Sequence, residues 1–294
     1  MLEFNEAFKM IVNAFEMVQR AYSEGYAVPA INTQGGTYDI IRAVCKAAEN
    51  LGSPIILAHY LDTGKYSGDD WFCETAKWLA NRVSVPVAIH LDHATNVEDC
   101  YRMISYGVTS VMYDGSNLSV EENALNTNKV INYAHKRDVT VEAEIGRLRR
   151  NDQKTETVIT DDGSVSLEDI IKFTNMCHPD FLAVGIGNAH GFYKESPRLN
   201  FDLLRECKDK IDIPLVLHGS TGLTEQQIKK SINCGVAKVN FGTKIRTDYV
   251  EYLKEGLKKG VDEGHAWKLS NFASDKLVES ISSIIYMVGS DGKY

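Results

Sequence analysis

The feature that most constrains this chain is an alternation. Short apolar, β-branched runs are separated by longer amphipathic stretches along most of its length. The candidate strands are AVPAIN (27–32), PIILAHY (54–60), VPVAIHLDH (85–93), SVMYDGS (110–116), TVEAEIG (140–146), FLAVGIGNAHG (181–191), IPLVLHGS (213–220) and VAKVNFG (236–242). Between them lie helical stretches such as YDIIRAVCKAAENLG, VEDCYRMISYG and TEQQIKKSINCG. Near-continuous apolar strands joined by helix-length crossovers imply a parallel sheet covered on both faces. Eight such units within 294 residues, with an extra helix in front and another behind, match an α/β fold of the (β/α)8 TIM-barrel type in number and length. A doubly wound open sheet would be expected to carry a G-x-G-x-x-G turn after its first strand, and INTQGG is not that turn. No Pro-, Gly- or Ser-rich linker divides the chain, so residues 1–294 are expected to form one domain.

The formal net charge of −8 argues against a nucleic-acid surface while allowing a local basic pocket for a phosphate. The first residues mix acidic side chains into an apolar helical period, unlike a signal peptide. No run approaches the roughly 18 apolar residues of a membrane helix. The expectation is a cytoplasmic protein with a small-molecule partner and no membrane contact. Six scattered cysteines without a C-x-x-C pair read as reduced, structural thiols.

Barrel active sites gather at the carboxyl ends of the strands. His59, His90, His93, His190 and His218 all fall near such ends, as do Asp92, Asp114, Glu144, Asn188 and Asn240. Unpaired buried charge costs several kcal/mol, so a strand ending His-Leu-Asp-His needs partners, a metal or a catalytic role. Neutral imidazole is the commonest metal ligand, but the spacing is not that of a zinc finger. Any metal site has to be assembled by the fold. The polar stretch 147–166 follows the fifth strand and is expected to be an active-site lid.

At these residues the chain resembles the class II, metal-dependent fructose-bisphosphate and tagatose-bisphosphate aldolases. The matching pieces are VPAIN, HLDH, SVMYDGSNLSVEEN, VEAEIG, GNAHGFY, LHGSTG and KVNFGT, in family order from 27 to 246. The resemblance implies a (β/α)8 fold, one zinc ion per subunit with room for a monovalent cation, and a homo-oligomer, dimer or tetramer. It matches His93, His190 and His218 to the zinc-binding histidines and Asp92 to the catalytic aspartate. Glu144 matches an alternate or outer metal ligand, Asn32 a substrate contact, and His90 is expected to orient the ligands from behind. Gly191, Gly219, Ser220, Thr221, Asn240, Gly242 and Thr243 match substrate- and phosphate-contacting positions. The implied reaction is reversible cleavage of a ketose phosphate to dihydroxyacetone phosphate and an aldehyde.

Departures from the family pattern bear on the substrate. Arg149 and Arg150 stand where the family often has Gly-Gly, and Asp152 stands where a proton-moving glutamate is expected. Gly242 replaces the aspartate of N-x-D-T, Tyr60 replaces a small hydroxyl residue, and Trp267 aligns with an arginine that reaches a neighbouring subunit's distal phosphate. The phosphate end is thus expected to be kept and the distal end rebuilt, with Arg149 and Arg150 suited to a carboxylate or sulfonate. A phosphosugar isomerase or epimerase and a catalytically inactive accessory subunit remain as alternatives.

Overall fold

The structure, a computed structural model, describes residues 10–146, 149–150, 165–191 and 197–294, with the side chains of Arg149, Arg150 and His190 outside that description. The strands in chain order are β1 (Val28–Asn32), β2 (Ile55–Tyr60), β3 (Val87–Ala94), β4 (Ser110–Tyr113), β5 (Thr140–Ile145), β6 (Arg149–Arg150), β7 (Phe181–Val184), β8 (Ala189–His190), β9 (Leu215–Leu217) and β10 (Val236–Phe241). A closed barrel runs β1-β10-β9-β7-β5-β4-β3-β2, and β6 pairs with β8 alone. The expected (β/α)8 barrel is the observed fold.

Each candidate strand coincides with a barrel strand, with one correction. The stretch 181–191 is not a single strand: β7 stops at Val184, and β8 leaves the barrel to pair with β6. Glycine makes the break possible, because Gly187 sits at φ +89. Asn188 then holds it, accepting from Ile186 N–H at 3.0 Å and donating to the His218 carbonyl at 2.8 Å.

The helices begin and end where local chemistry dictates. Ser119 with Glu122 and Thr224 with Gln227 form capping boxes that satisfy otherwise orphaned N–H groups. Gly52 and Gly107 end their helices at φ +55 and +90. The helices Phe15–Glu24 and Ala266–Val288 are the extra ones in front and behind. No helix among the described residues is long and apolar enough to cross a membrane. All six cysteines are buried and unpaired.

Two apolar layers hold the barrel. The larger lies between strands and helices. The smaller fills the barrel's lower interior, where Val28, Ala30, Ile56, Ala88 and Phe181 meet Met17, Val18 and Ala21 of the first helix. Burying each larger aliphatic side chain of this kind contributes about 1.5–3 kcal/mol. The interior also carries His90, Asp92, Glu142, Glu144 and Lys238, all buried. Ionised groups placed there must pair with one another, and their pairing builds the site.

Candidate active site

A cavity of about 520 Å³ opens beyond the strand ends, lined by Asn32, Asp92, His93, Gly191, His218, Gly219, Ser220, Thr221, Asn240, Gly242 and Thr243. Residues from several barrel strands and the loops that follow them thus meet in one space. Gln34, Tyr60, Asp62, Thr63 and Arg246 form more of its wall.

Neighbouring residues of a strand normally face opposite ways, yet Asp92 and His93 both line the cavity. The backbone explains this. His93 adopts φ +52, and the β3–β4 register shifts between Leu91 and Ala94. A non-glycine residue in that region costs on the order of 1–3 kcal/mol and is found where a site requires it.

His93 Nδ1 lies 3.0 Å from Asp114 Oδ2 and 3.6 Å from Glu144 Oε2. The Asp114 carboxylate can only accept, so Nδ1 carries a proton, and in the neutral ring the lone pair is on Nε2. His218 has the opposite tautomer: its Nε2–H donates to Glu142 Oε1 at 2.8 Å, which leaves the lone pair on Nδ1. The two rings meet edge to face, with centroids 4.6 Å apart. Ligand atoms of Asp92, His93 and His218 lie within 4.8 Å of one another, as do those of His93, Asp114 and Glu144. His93 therefore belongs to two donor groups, one at the cavity wall and one behind it.

The electrostatics follow from this crowding. Burial opposes protonation of His93, but Asp92, Asp114 and Glu144 outweigh it and raise the imidazole to about 9. Burial also opposes charge on Asp92, and the neighbouring His93, His218 and Lys238 nevertheless hold its carboxyl below the usual range. Glu144 moves the other way: burial, and then Asp114, push it well above an ordinary carboxylic acid. Its Oε2 has no hydrogen-bond donor among the described residues. A buried carboxylate oxygen lacking a donor, beside an imidazole that belongs to both donor groups, is a setting that suits a divalent cation.

The histidines do not all converge as expected. His59 stacks on Phe72, outside the barrel, with its Nε2 held by Asp69 at 2.7 Å. It follows Ala58 and precedes Tyr60, which take the inward positions along β2 and line the cavity. His90 lies deeper than the site, bonded through Nδ1 to Ser110 Oγ at 2.8 Å, with Nε2 3.9 Å from Glu142. Burial and the Lys238 charge push it down to about 3, so it stays neutral. It approaches Glu142 rather than His93. The backbone of His190 enters β8, whereas its side chain, those of Arg149 and Arg150, all of Asp152 and most of the 147–166 stretch fall outside the described residues. Trp267 is exposed at the start of the last helix, away from the cavity wall.

Sequence reasoning passed over Glu142 and Lys238. Period-2 alternation could have found them, since each stands two residues before a site candidate, Glu144 and Asn240, and so shares its face.

Gly219 shows how tightly the loops are fitted. At φ +63, an added Cβ would come 2.3 Å from the Ala189 carbonyl oxygen. Gly219→Ala is expected to cost more than about 1 kcal/mol, and calorimetry should register a lower Tm; an unchanged Tm would contradict this close approach.

The family model of class II fructose-bisphosphate aldolase matches residues 12–293. A fructose-bisphosphate aldolase of Ureaplasma parvum serovar 3 is 38% identical over 256 residues, 86% of this chain and 86% of that protein. Among solved structures, the YdjI aldolase from Escherichia coli K12 superposes with a TM-score of 0.84 at 26% identity, covering 97% of this chain and 99% of that one. A fructose-bisphosphate aldolase from Campylobacter jejuni gives 0.81 at 21% identity over 97% of both chains, a likeness of fold. Together with the site's geometry, these matches place the chain in the class II fructose-bisphosphate aldolase family, whose members are aldehyde-lyases.

Proposed function

We propose that the protein cleaves a ketose 1-phosphate or ketose bisphosphate, reversibly, into dihydroxyacetone phosphate and an aldehyde. The observation that carries this reading is the single cavity in which Asp92, His93, His218, Asn240 and the Gly219–Thr221 loop meet. Class II aldolases are metal-dependent, and the residues present fit such an ion. His93, His190 and His218 would hold zinc, with Glu144 as an alternate ligand; a monovalent cation would complete the phosphate end. Bound zinc would supply Lewis-acid polarisation of the substrate carbonyl and stabilise negative charge developing on its oxygen.

The protein groups supply the rest. Asp92, ionised and oriented by Asn240 Nδ2 at 3.0 Å, takes the proton of the C4 hydroxyl. The C3–C4 bond then breaks, its electron pair moves toward C2, and the C4 fragment departs as the aldehyde. Asp152 would return a proton to C3, completing dihydroxyacetone phosphate. Ser220, Thr221 and Thr243, with backbone N–H groups at Gly191, Gly219 and Gly242, would take the C1 phosphate. Asn32 would contact the sugar; its Oδ1 already accepts from Gln34 N and Nε2 at 3.0 and 2.7 Å.

At the distal end, Arg149 and Arg150 would grip a carboxylate or sulfonate in place of a second phosphate. Their strand pairs with Ala189 and His190, which brings the backbone beside a proposed ligand. The chain would work as a single-domain homo-oligomer, dimer or tetramer, in the cytoplasm, without nucleic-acid or membrane partners. A zinc-replete assay of dihydroxyacetone phosphate release tests this against ketose 1-phosphates bearing phosphate, sulfonate, carboxylate or methyl at the far end. Preference for sulfonate or carboxylate, lost in Arg149→Gly/Arg150→Gly, is the expected result. Full activity on a bisphosphate, unchanged by those substitutions, would remove the distal assignment. An inactive accessory subunit is the alternative, favoured by Gly242 standing in the cavity wall where the family has aspartate; silence across the panel would select it.

A further inference from the structure

Lys238 takes no part in the chemistry above, yet it is fully buried inside the barrel. Its ammonium forms an ion pair with Glu142 Oε2 and donates to Asn240 Oδ1, each at 2.7 Å. The other Glu142 oxygen accepts from His218 Nε2 at 2.8 Å, and the Asn240 amide donates to Asp92 Oδ1 at 3.0 Å. These four contacts make one continuous path from His218 through Glu142, Lys238 and Asn240 to Asp92. It joins a proposed metal ligand to the proposed base.

The path has a direction built into it. An ammonium only donates, so the Asn240 carbonyl oxygen must face Lys238 and its NH₂ must face Asp92. With Asp92 Oδ1 engaged by that NH₂, Oδ2 is left for the substrate hydroxyl. On the other side, Glu142 acts as the counter-charge of Lys238 and as the acceptor that fixes the His218 tautomer. Stability alone does not call for this arrangement, since a neutral pair of similar volume commonly replaces a buried ion pair without loss.

We propose that Lys238 is a positioning residue, holding the Asn240 amide so that Asp92 presents one defined carboxylate oxygen to the substrate. The inference deepens the aldolase reading and rests on it. Lys238→Met alone would leave Glu142 as an uncompensated buried charge, so the informative protein is Lys238→Met/Glu142→Gln. It is neutral and near-isosteric, and the amide introduced by Glu142→Gln still offers an oxygen to the His218 N–H.

Three quantities are measured on the full chain: Tm, zinc affinity by competition with a chromogenic chelator, and kcat and KM for dihydroxyacetone phosphate release. The double variant is expected to keep its Tm and, because the introduced amide still accepts from the His218 N–H, to weaken zinc binding by less than about tenfold, while kcat at saturating zinc falls about 10- to 100-fold, the range for groups that orient a site from behind. KM should stay within about threefold, the pattern of an interaction made only in the transition state. A wild-type kcat in the double variant would overturn the inference. So would a loss of kcat that tracks a loss of zinc or of the folded state, because the path would then be structural. Wild-type protein that releases no dihydroxyacetone phosphate would instead overturn the aldolase reading beneath it.

Discussion

Replacing Asp92 by asparagine is expected to lower kcat for carbon–carbon cleavage by roughly 10²- to 10⁴-fold, the contribution of a positioned general base. Asparagine keeps the size of the side chain, and its carbonyl can still accept from Asn240 Nδ2, which lies 3.0 Å from Asp92 Oδ1. It cannot take a proton. Because Asp92 is a cavity-wall carboxylate beside His93 rather than part of the apolar core, Tm and KM should change little. Steady-state kinetics on the purified variant read the effect directly. A kcat within about tenfold of wild type would move the base to another residue.

His93→Asn should have the second large effect. His93 belongs to both donor groups, with Asp92 and His218 and with Asp114 and Glu144, so its loss dismantles either arrangement. Asparagine is chosen because it tolerates left-handed backbone better than most residues, and His93 sits at φ +52. Zinc affinity is expected to fall by on the order of 100-fold or more, beyond the range for residues that only orient a ligand. Activity should fall with it, while the circular dichroism spectrum stays that of the folded barrel. Undiminished zinc content by elemental analysis would place the metal elsewhere.

The barrel was legible in the sequence because parallel strands buried on both faces must read as apolar runs, and crossover helices must read as amphipathic ones. The break at Val184 was less legible. FLAVGIGNAHG is apolar along most of its length, and only Gly187 at φ +89 and the two Asn188 hydrogen bonds mark where the strand leaves the barrel. At the site, Asp92, His93, His218, Asn240 and the glycine-rich turns were found because they cluster at strand ends and because their motifs match a family.

His59 shows the limit of that reasoning. Position near a strand end gives height along the barrel but not the face, and His59 turns outward onto Phe72. His93 shows the converse. Strict alternation would send it outward, and a left-handed backbone brings it in. Glu142 and Lys238 were missed because a buried carboxylate and a buried ammonium look ordinary singly; their meaning lies in the 2.7 Å contact between β5 and β10, which no local pattern encodes.

The most direct measurement is dihydroxyacetone phosphate release from a ketose bisphosphate and from the distal-substituent panel, before and after dialysis against a chelator, with zinc then restored. Metal-dependent release that disappears on chelation and returns with zinc is the predicted result. Release that is indifferent to the chelator, or its absence from every substrate with zinc bound, would contradict the assignment of this cavity as a zinc-dependent aldolase site.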